Sequence, residues 1–462
     1  MPALQLAGPS NQPRSLLPDA ERTVNWYPQP IEATGKGGST FYLKQVPGLT
    51  KVVNALGSVS AMTVARQKLY VVAAGKLYLI GSDWSATLLG YVSLQAYFTA
   101  VNNTQIALAS VDSLSVWDLD SSSMSHVTNN FSGCTGFDNL DGFGVFSEPN
   151  SATFFITANQ DFTSIEALDF ATAEGSNGNI VGLIVKNREV HFLKEATTEI
   201  WYDSGQAFPL IRNDGANIET GLAAQRTLCK SGGVAFWLGK DAGGSSIVFA
   251  MSAYSPQRIS THALEEALRG VGDVSVATAF VYHQDGSTFY VLNVPGLTTT
   301  WVYDVGTQLW HERAELVNGV YSQWRPTAHA FCYGFNLVSD SLGNIYKLDP
   351  TVNTNAGDVI ARDRITPHQS IPGLTRTRFG SIQIDCEVGQ GLSGVNAQLM
   401  LRYSDNGAKS WSNWRLMSLG NIGEFMTRCR ATMLGSARDR VWHLRVTDNV
   451  RCDVRAAIVN EI

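Results

Sequence analysis

The feature that most constrains the fold of this chain is a succession of short apolar runs separated by turn residues. The run KLYVVAAGKLYLIG at 68–81 alternates apolar and other side chains around Ala74 and Gly75, which is the pattern of a two-stranded hairpin. The same plan returns at 105–119, 232–251 and 287–305. Because helical patterns are scarce by comparison, these runs predict an all-β chain built from antiparallel hairpins.

Several predicted strands end in an aromatic residue followed by aspartate, namely at Trp117-Asp118, Tyr202-Asp203 and Tyr303-Asp304. An Asp at a strand end can accept hydrogen bonds from the amides of the next turn, and the aromatic ring can pack between neighbouring hairpins. Such a recurrence is typical of β-propeller blades, which take about 40–50 residues and four strands each. Residues 51–355 are therefore predicted to form a β-propeller-like domain of about six or seven blades.

Two segments outside this body have a different character. Residues 1–50 are rich in proline and lack periodicity, which predicts an extended N-terminal arm. Turn formers at 349–357, followed by Pro367 and Pro372, mark a domain boundary. Residues 365–462 are predicted to form a C-terminal β-sandwich domain, because strand-like runs lie at 381–388, 397–404, 412–419, 440–447 and 456–462.

The best helical pattern is THALEEALRG at 261–270. Thr261 or Ser260 can cap its first turn, and Gly270 can end it. A segment this short cannot carry a helical domain, so it is predicted to be an insertion between blades.

Charge is unevenly distributed along the chain. The formal net charge is -6, and residues 1–360 contain 20 basic and 31 acidic side chains, whereas residues 361–462 contain 14 and 9. The net charge argues against a general duplex-DNA binder, because such affinity comes from neutralising phosphates with Lys and Arg. The asymmetry between an acidic body and a basic C-terminal domain indicates different partners.

Four arginines of the last domain are the candidate site residues. Arg428 and Arg430 lie two positions apart, as do Arg438 and Arg440, so each pair shares one face if its segment is extended. One interpretation is a solvated strand face. The other is a docking patch for an acidic partner or for DNA phosphates, to which guanidinium groups bind well.

Patterns of catalysis are missing from the sequence. We find no G-x-S-x-G elbow, H-E-x-x-H helix or phosphate-binding loop, and the eight His are dispersed without the spacing of metal ligands. We therefore expect no catalytic, cofactor-binding or metal-binding residues and no cofactor. The string SDNGAKSW at 404–411 resembles the Asp-box of sialidase-type propellers, which is a device for folding a hairpin turn.

Six scattered cysteines and the N-terminal residues bear on the compartment. No close C-x-x-C pair occurs, the first residues lack a secretory pattern, and no apolar run approaches the roughly 20 residues that span a bilayer. We expect folding in a reducing cytoplasm, without disulfides or membrane insertion.

Ordered strings over residues 20–315 are similar to the packaged-DNA stabilisation proteins of podovirus-type phages, also called tail accessory or tail hub proteins. These strings are ERTVNWYPQPIE (21–32), LKQVPGLTKV (43–52), DGFGVF (141–146), SIEALDFATAEGSNGNIVGLIV (164–185), TEIWYDSG (198–205), FWLGKD (236–241), YSPQRISTHALEEAL (254–268) and TWVYDVGTQLWHER (300–313).

The resemblance implies a non-enzymatic structural protein of the virion tail that is assembled in the host cytoplasm. Such a protein is added after genome packaging, below the portal and its adaptor ring, as a ring of six copies that extends the tail tube. Its partners are other copies of itself, the portal adaptor, the needle or plug that closes the channel, and the tailspikes or tail fibres. Packaged DNA passes through the ring without specific binding, and no membrane is involved.

Two other functions remain open from the residues. A sialidase-like propeller trimming host glycans is compatible with the hairpin at 404–411, although only one degenerate Asp-box occurs. A carbohydrate-binding propeller used for host adsorption is compatible with the 11 Trp and 15 Tyr.

Overall fold

The computed structural model describes residues 3–4, 6–13, 15–16, 19–32, 40–240, 243–370, 375–391 and 396–461. Within these ranges almost every regular element is a β-strand. The exceptions in the described part of the chain are helix α1 at His262–Arg269 and a 3₁₀ turn at Gln225–Thr227. The all-β class predicted from the sequence is confirmed.

Five strands precede the propeller blades. They are β1 (Ala3–Leu4), β2 (Arg22–Val24), β3 (Trp26–Pro30), β4 (Phe41–Gln45) and β5 (Gly48–Val53).

The next strands form a series of four-stranded antiparallel blades, each running in chain order from the innermost to the outermost strand. Blade 1 consists of β6 (Val59–Ala65), β7 (Lys68–Ala73), β8 (Lys76–Ile80) and β9 (Ala86–Tyr91). Blade 2 consists of β10 (Phe98–Val101), β11 (Gln105–Ala109), β12 (Leu114–Asp118) and β13 (Ser123–Val127). Blade 3 consists of β14 (Phe137–Leu140), β15 (Phe143–Ser147), β16 (Thr153–Ile156) and β17 (Phe170–Thr172).

Blades 4 to 6 follow the same order. Blade 4 consists of β18 (Ile180–Lys186), β19 (Glu189–Lys194), β20 (Thr198–Asp203) and β21 (Leu210–Ile218). Blade 5 consists of β22 (Cys229–Ser231), β23 (Val234–Lys240), β24 (Ser246–Met251) and β25 (Gln257–Arg258). Blade 6 consists of β26 (Thr278–Gln284), β27 (Ser287–Asn293), β28 (Thr300–Asp304) and β29 (Leu309–Val317), and β30 (Val320–Gln323) pairs with β29.

Blade 7 closes the ring with strands from both ends of the propeller sequence. Its first three strands are β31 (Ala328–Cys332), β32 (Phe335–Ser339) and β33 (Ile345–Asp349), and its fourth is β5, in which Leu49 pairs with Leu348. Two short strands, β34 (Thr354–Asn355) and β35 (Asp358–Val359), lie outside β5 in the same sheet. Each innermost strand contacts the innermost strand of the next blade, and β31 contacts β6. The described residues thus form a closed ring of seven blades.

The local turn chemistry follows the sequence patterns. Ala74 and Gly75 have φ values of 47° and 72° between β7 and β8, the left-handed pair that a tight hairpin requires. At the ends of the third strands, Asp carboxylates accept hydrogen bonds from turn amides, as in Asp118 from Ser121 N at 2.7 Å and Asp304 from Gly306 N at 2.9 Å. The predicted turn devices are therefore present.

Helix α1 lies between blades 5 and 6, where the sequence predicts an insertion. The Thr261 side chain accepts from Leu264 N at 3.3 Å, so it is the N-cap. Leu264 and Leu268 are fully buried against the cores of blades 5 and 6. The predicted helix and its cap are confirmed.

The C-terminal strands form a two-sheet sandwich. They are β36 (Arg362–Ile365), β37 (Gln369–Ser370), β38 (Thr377–Cys386), β39 (Gln398–Ser404), β40 (Arg415–Ser418), β41 (Cys429–Thr432), β42 (Ser436–Ala437), β43 (Asp439–Val446) and β44 (Val454–Glu461). One sheet has the order β3-β4-β44-β38-β41, and the other contains β36-β43-β39-β40.

The core of the sandwich is built from both sheets and from the beginning of the chain. Trp26, Phe379, Leu401 and Trp442 are all fully buried in one apolar cluster, and the Phe379 and Trp442 rings meet edge to face at 5.8 Å. Burying side chains of this size contributes about 1.5–3 kcal/mol each. The sandwich therefore needs Trp26, which lies more than 300 residues upstream of β38.

The first 53 residues contribute to both domains. Strands β3 and β4 complete a sheet of the sandwich, β2 lies between the two domains, and β5 is the fourth strand of blade 7. Within the segment predicted as an extended arm at 1–50, the described strands β1, β2, β4 and β5 pair with strands late in the chain. The domain boundaries at 50, 355 and 365 stay predictions from the sequence.

Candidate interaction surfaces

The propeller and the sandwich are joined by a continuous sheet. Strand β2 pairs in parallel with β29 of blade 6, at Val24 and Glu312, and antiparallel with β36 of the sandwich. The next residue, Asn25, has a φ of 57° and donates from Nδ2 to the carbonyls of Ala314 at 2.9 Å and Ala361 at 2.7 Å. Backbone pairing and this side-chain clamp fix the orientation of the two domains.

Strand β36 carries three consecutive charged residues that are all buried, Arg362, Asp363 and Arg364. Burial of charge is costly unless each group is paired. Arg362 donates to Gln45 Oε1 at 2.8 Å, and Arg364 forms an ion pair with Glu21. Strands from the beginning of the chain thus supply partners to a charged strand near its end.

Asp363 joins side chains from both domains. It accepts from Arg445 Nε and Nη2, both at 2.6 Å, from His443 Nε2 at 3.0 Å and from the Tyr321 hydroxyl. Burial by itself would raise the pKa of the Asp363 carboxyl, but the Arg445 and His443 hydrogen bonds hold it well below its usual range. Asp363 is therefore ionised at the joint between the domains.

A second ion pair joins β2 to blade 6. Arg22 Nε and Nη2 donate to the two carboxylate oxygens of Glu312 at 2.9 and 2.7 Å. Burial would raise the pKa of Glu312, but Arg22 lowers it below its ordinary value. Bidentate pairs of this kind fix geometry as well as charge, so the two domains present their surfaces as one unit.

Two small cavities lie along the propeller axis. Two adjoining cavities of about 270 and 220 Å³ lie along the innermost strands and share Tyr97 and Gln225. The guanidinium carbon of Arg226 lies 4.0 Å from the centre of the Tyr97 ring, and burial lowers the pKa of Arg226. Spaces of this volume hold several water molecules but give no passage to a duplex.

The four arginines named from the sequence do not form one surface. Arg428, Arg430 and Arg438 are exposed, and Arg430 Nη2 donates to Ser381 Oγ at 3.1 Å. The Arg440 side chain is fully buried, with Nε and Nη2 on the Asp405 carboxylate at 2.6 and 2.8 Å. The inclusion of Arg440 in a docking patch is wrong, because this side chain has no surface to offer a partner.

Arg440 is buried because the sandwich core surrounds it with rings. Its guanidinium carbon lies 3.9 Å from the Tyr403 ring centre and 4.3 Å from that of Phe379, contacts that stabilise a cation over an aromatic face. Arg438 is in a bend before β43, so the alternation expected of an extended pair does not apply. Arg428 and Arg430, on either side of buried Cys429, do follow that alternation.

The buried role of Arg440 leads to a stability prediction. The substitution Arg440→Met keeps an apolar stem but leaves Asp405 and the Leu434 carbonyl without their donor, and it should lower the free energy of unfolding by about 2–3 kcal/mol. Arg428→Met is the matched control and should change it by less than about 0.5 kcal/mol. Urea unfolding followed by Trp fluorescence measures both. Equal stabilities for the two variants would contradict the buried role.

The Asp-box-like turn at 404–411 is a folding device in the structure. Asn406 Oδ1 accepts from Ser410 N at 3.0 Å, and Ala408 has a φ of 61°. Among the described residues, no group of three or more His, Cys, Asp or Glu side chains could hold a metal ion. In the same part of the chain, no helix is long and apolar enough to cross a bilayer.

Two groups of exposed apolar residues were not predicted from the sequence. Large apolar side chains are exposed in the sandwich at Leu416, Ile422, Phe425, Met426 and Met433, and at the outer edge of blade 3 at Leu168 and Phe170. A signal was present in both places, since each group lies in a turn-rich stretch among charged residues.

The comparisons with known proteins cover both domains. One family model, "Bacteriophage P22 Gp10, beta-propeller", matches residues 21–353, and another, "Bacteriophage P22 Gp10, beta-sandwich", matches residues 373–460. Among curated protein sequences none matches the chain.

Similar solved structures include the Neurospora crassa Pan2 WD40 domain, with 9% identity, 66% of this chain and 95% of that one covered, and a TM-score of 0.43. The RRP9 WD40 repeats have 9% identity, coverages of 66% and 99%, and a TM-score of 0.41. Since the two family models together match most of the chain, one over each domain, the chain belongs to the family of bacteriophage P22 Gp10, the packaged-DNA stabilisation protein.

Proposed function

We propose that this protein is a tail hub that assembles below the portal and its adaptor after DNA packaging, as a ring of six copies. It helps to close the channel and retain the genome, and it offers attachment to the tail needle and to tailspikes. The observation that supports this role is the match of both domains to a family of structural phage proteins. We propose accordingly that the protein is not an enzyme and binds no cofactor.

The dimensions of the propeller bear on how DNA would pass. The axial cavities of one copy, about 270 and 220 Å³, cannot admit a duplex. A DNA channel would therefore be enclosed between several copies. The net charge of -6 supports a wall that does not grip DNA, because each phosphate contact by Lys or Arg adds affinity that would hinder ejection.

Assembly in the host cytoplasm and a location in the virion tail complete the proposal. All six cysteines are free thiols, which suits folding in a reducing compartment. The exposed arginines Arg428, Arg430 and Arg438 remain candidates for contact with an acidic partner.

The test is the DNA content of particles assembled with and without this protein. Deficient particles should package a genome and then lose it, and purified protein added back should restore retention. Particles that keep their DNA but fail to adsorb to cells would contradict the closure role. That outcome would favour the carbohydrate-binding propeller, which binding to host glycans by the purified protein would then examine directly.

A further inference from the structure

Blades 1 to 3 form an acidic arc of the propeller ring. Residues 77–185 contain no Lys or Arg, and the arc carries eleven carboxylates, at Asp83, Asp112, Asp118, Asp120, Asp138, Asp141, Glu148, Asp161, Glu166, Asp169 and Glu174. Three of them, Asp120, Asp138 and Asp141, pair with basic side chains from outside the arc. The charge of the remaining carboxylates is not balanced within the arc.

The most apolar part of this arc is the outer edge of blade 3, named here the blade-3 edge and defined by residues 166–174. Leu168 is 85% exposed, and Phe170 is exposed on edge strand β17, where its ring contacts Phe155 at 5.7 Å. Glu166 and Glu174 flank these side chains and are exposed. An unpaired, apolar edge strand is a surface that proteins ordinarily cover, so the blade-3 edge is suited to a partner that brings apolar and basic groups.

The sandwich carries a surface of that kind, named here the sandwich tip and defined by residues 416–433. Its exposed apolar side chains are Leu416, Ile422, Phe425, Met426 and Met433, with Met426 92% exposed. Arg428 and Arg430 lie among them and are exposed. Arg415 donates to the carbonyls of Thr432 and Met433 at 2.9 and 3.0 Å, which ties β40 to the end of β41.

The blade-3 edge lies across the ring from the place where the sandwich is attached. The sandwich is attached at blade 6 through the pairing of β2 with β29. It is joined to blade 7 by two short connections, from β4 to β5 and from β35 to β36. In a ring of seven blades, the blade farthest from the boundary between 6 and 7 is blade 3. One copy cannot cover its own blade-3 edge with its own sandwich tip, because the joint between the domains is fixed by the buried pairs of β36.

We propose that the sandwich tip of one copy docks on the blade-3 edge of the next copy, so that the subunits join head to tail. This inference rests on the proposed ring and names the contact that builds it. A contact between two different surfaces is heterologous, and its repetition gives a ring when the rotation between successive copies closes. Phe425 and Met426 cover Leu168 and Phe170, while Arg428 and Arg430 meet Glu166 and Glu174.

Charge complementarity favours a second copy with this arrangement over a symmetric pairing. Tip against tip would bring Arg428 and Arg430 close to their own equivalents, and edge against edge would bring Glu166 and Glu174 close to theirs. Like charges across an interface disfavour wrong partners. Arg212 of blade 4, which lies near Gly175, is already paired with Asp214 at 2.7 Å, so it does not neutralise the edge.

The experiment uses particles that lack the protein, to which purified full-length variants are added. The double variant Leu168→Cys with Met426→Cys, treated with a short bismaleimide, should give a ladder of cross-linked species on a denaturing gel. A mixture of the two single variants should stop at the dimer. The control is the double variant Leu342→Cys with Met426→Cys, because Leu342 is also exposed but lies on blade 7. This control should give no more cross-linking than the unsubstituted protein.

Charge reversal provides the second measurement. Arg428→Glu with Arg430→Glu should lower incorporation into particles about tenfold, as should Glu166→Arg with Glu174→Arg. Combining all four substitutions should restore incorporation. Suppose that the protein is incorporated and retains DNA. If the double-cysteine variant then gives no ladder, or if a single-cysteine variant cross-links with itself, the docking inference fails and the proposed function stands. If no variant and no unsubstituted protein enters the particles, the proposed function fails.

Discussion

The free energy of unfolding of this protein is expected to fall steeply below about pH 6.5, the ordinary pKa of histidine, because several buried histidines are held neutral. Burial lowers the pKa of His191 to about 3 and that of His329 to about 4. Burial, with the nearby charge of Arg313, also keeps the pKa of His311 well below its ordinary value. In the described part of the chain, the ring nitrogens of His191 and of His311 have no hydrogen-bond partner.

The direction of the effect follows from proton binding. In the unfolded chain these side chains titrate near pH 6.5. Below that pH the unfolded chain takes up protons that the folded chain does not, so stability present at neutral pH is lost until each folded pKa is reached. Each histidine contributes about 1.4 kcal/mol per pH unit. Three together approach about 4 kcal/mol per unit, which is a large part of a typical total of 5–15 kcal/mol.

Urea unfolding followed by Trp fluorescence at pH 7.5, 6.5 and 5.5 measures the slope. The variant His311→Phe keeps an aromatic ring against Tyr27 and Phe289, whose ring centres lie 5.6 and 5.9 Å from that of His311. As the pH falls, its free energy of unfolding should decrease by about 1.4 kcal/mol per pH unit less than that of the unsubstituted protein. His262→Gln is the control, because the His262 side chain is 91% exposed. A pH dependence identical for all three proteins would show that buried histidine is not the cause.

Local patterns in the sequence predicted the parts of the fold that are local in the chain. The hairpin at 68–81 and the Asp-capped turns depend on contacts within a few residues, and so does helix α1 with its Thr261 cap. These contacts are read from residue type and spacing because the partners are adjacent in the printed sequence.

Contacts between distant segments could not be read in the same way. Proline and the lack of periodicity in residues 1–50 describe an extended chain but not its partners, which for Val24 and Leu49 are Glu312 and Leu348. The fourth strand of blade 7 comes mostly from this segment. Dividing the length of residues 51–355 by the usual blade length therefore could not decide between six and seven blades.

The candidate surface was only partly predictable for a related reason. Spacing alone made Arg438 and Arg440 equivalent, but the exposure of an arginine depends on what surrounds it in three dimensions. Arg440 is enclosed by Asp405 and by the rings of Tyr403 and Phe379, and those residues come from other strands. The charge asymmetry between the domains was readable, because it needs only a count along the chain.

The substitution Asp363→Ala is expected to lower the free energy of unfolding by about 3–5 kcal/mol, the range for breaking a buried ion pair by removing one partner. Asp363 receives hydrogen bonds from Arg445, His443 and Tyr321 between the propeller and the sandwich. Without the carboxylate, the charge of Arg445 is left partly buried and unpaired. Urea unfolding at pH 7.5 measures the loss.

The control for this variant is Asp214→Ala, which removes the carboxylate of an exposed pair with Arg212 and should cost no more than about 1 kcal/mol. Hydrogen exchange then distinguishes a local joint from a general loss of stability. In Asp363→Ala, the amides of β29 and β36 should exchange faster, while those of blade 3 should keep their protection, because blade 3 lies across the ring from the joint. If the amides of blade 3 and β36 are affected equally, Asp363 supports the whole fold rather than the joint. A head-to-tail ring needs a rigid joint, since each sandwich tip reaches its neighbour only if the sandwich keeps its orientation on blades 6 and 7.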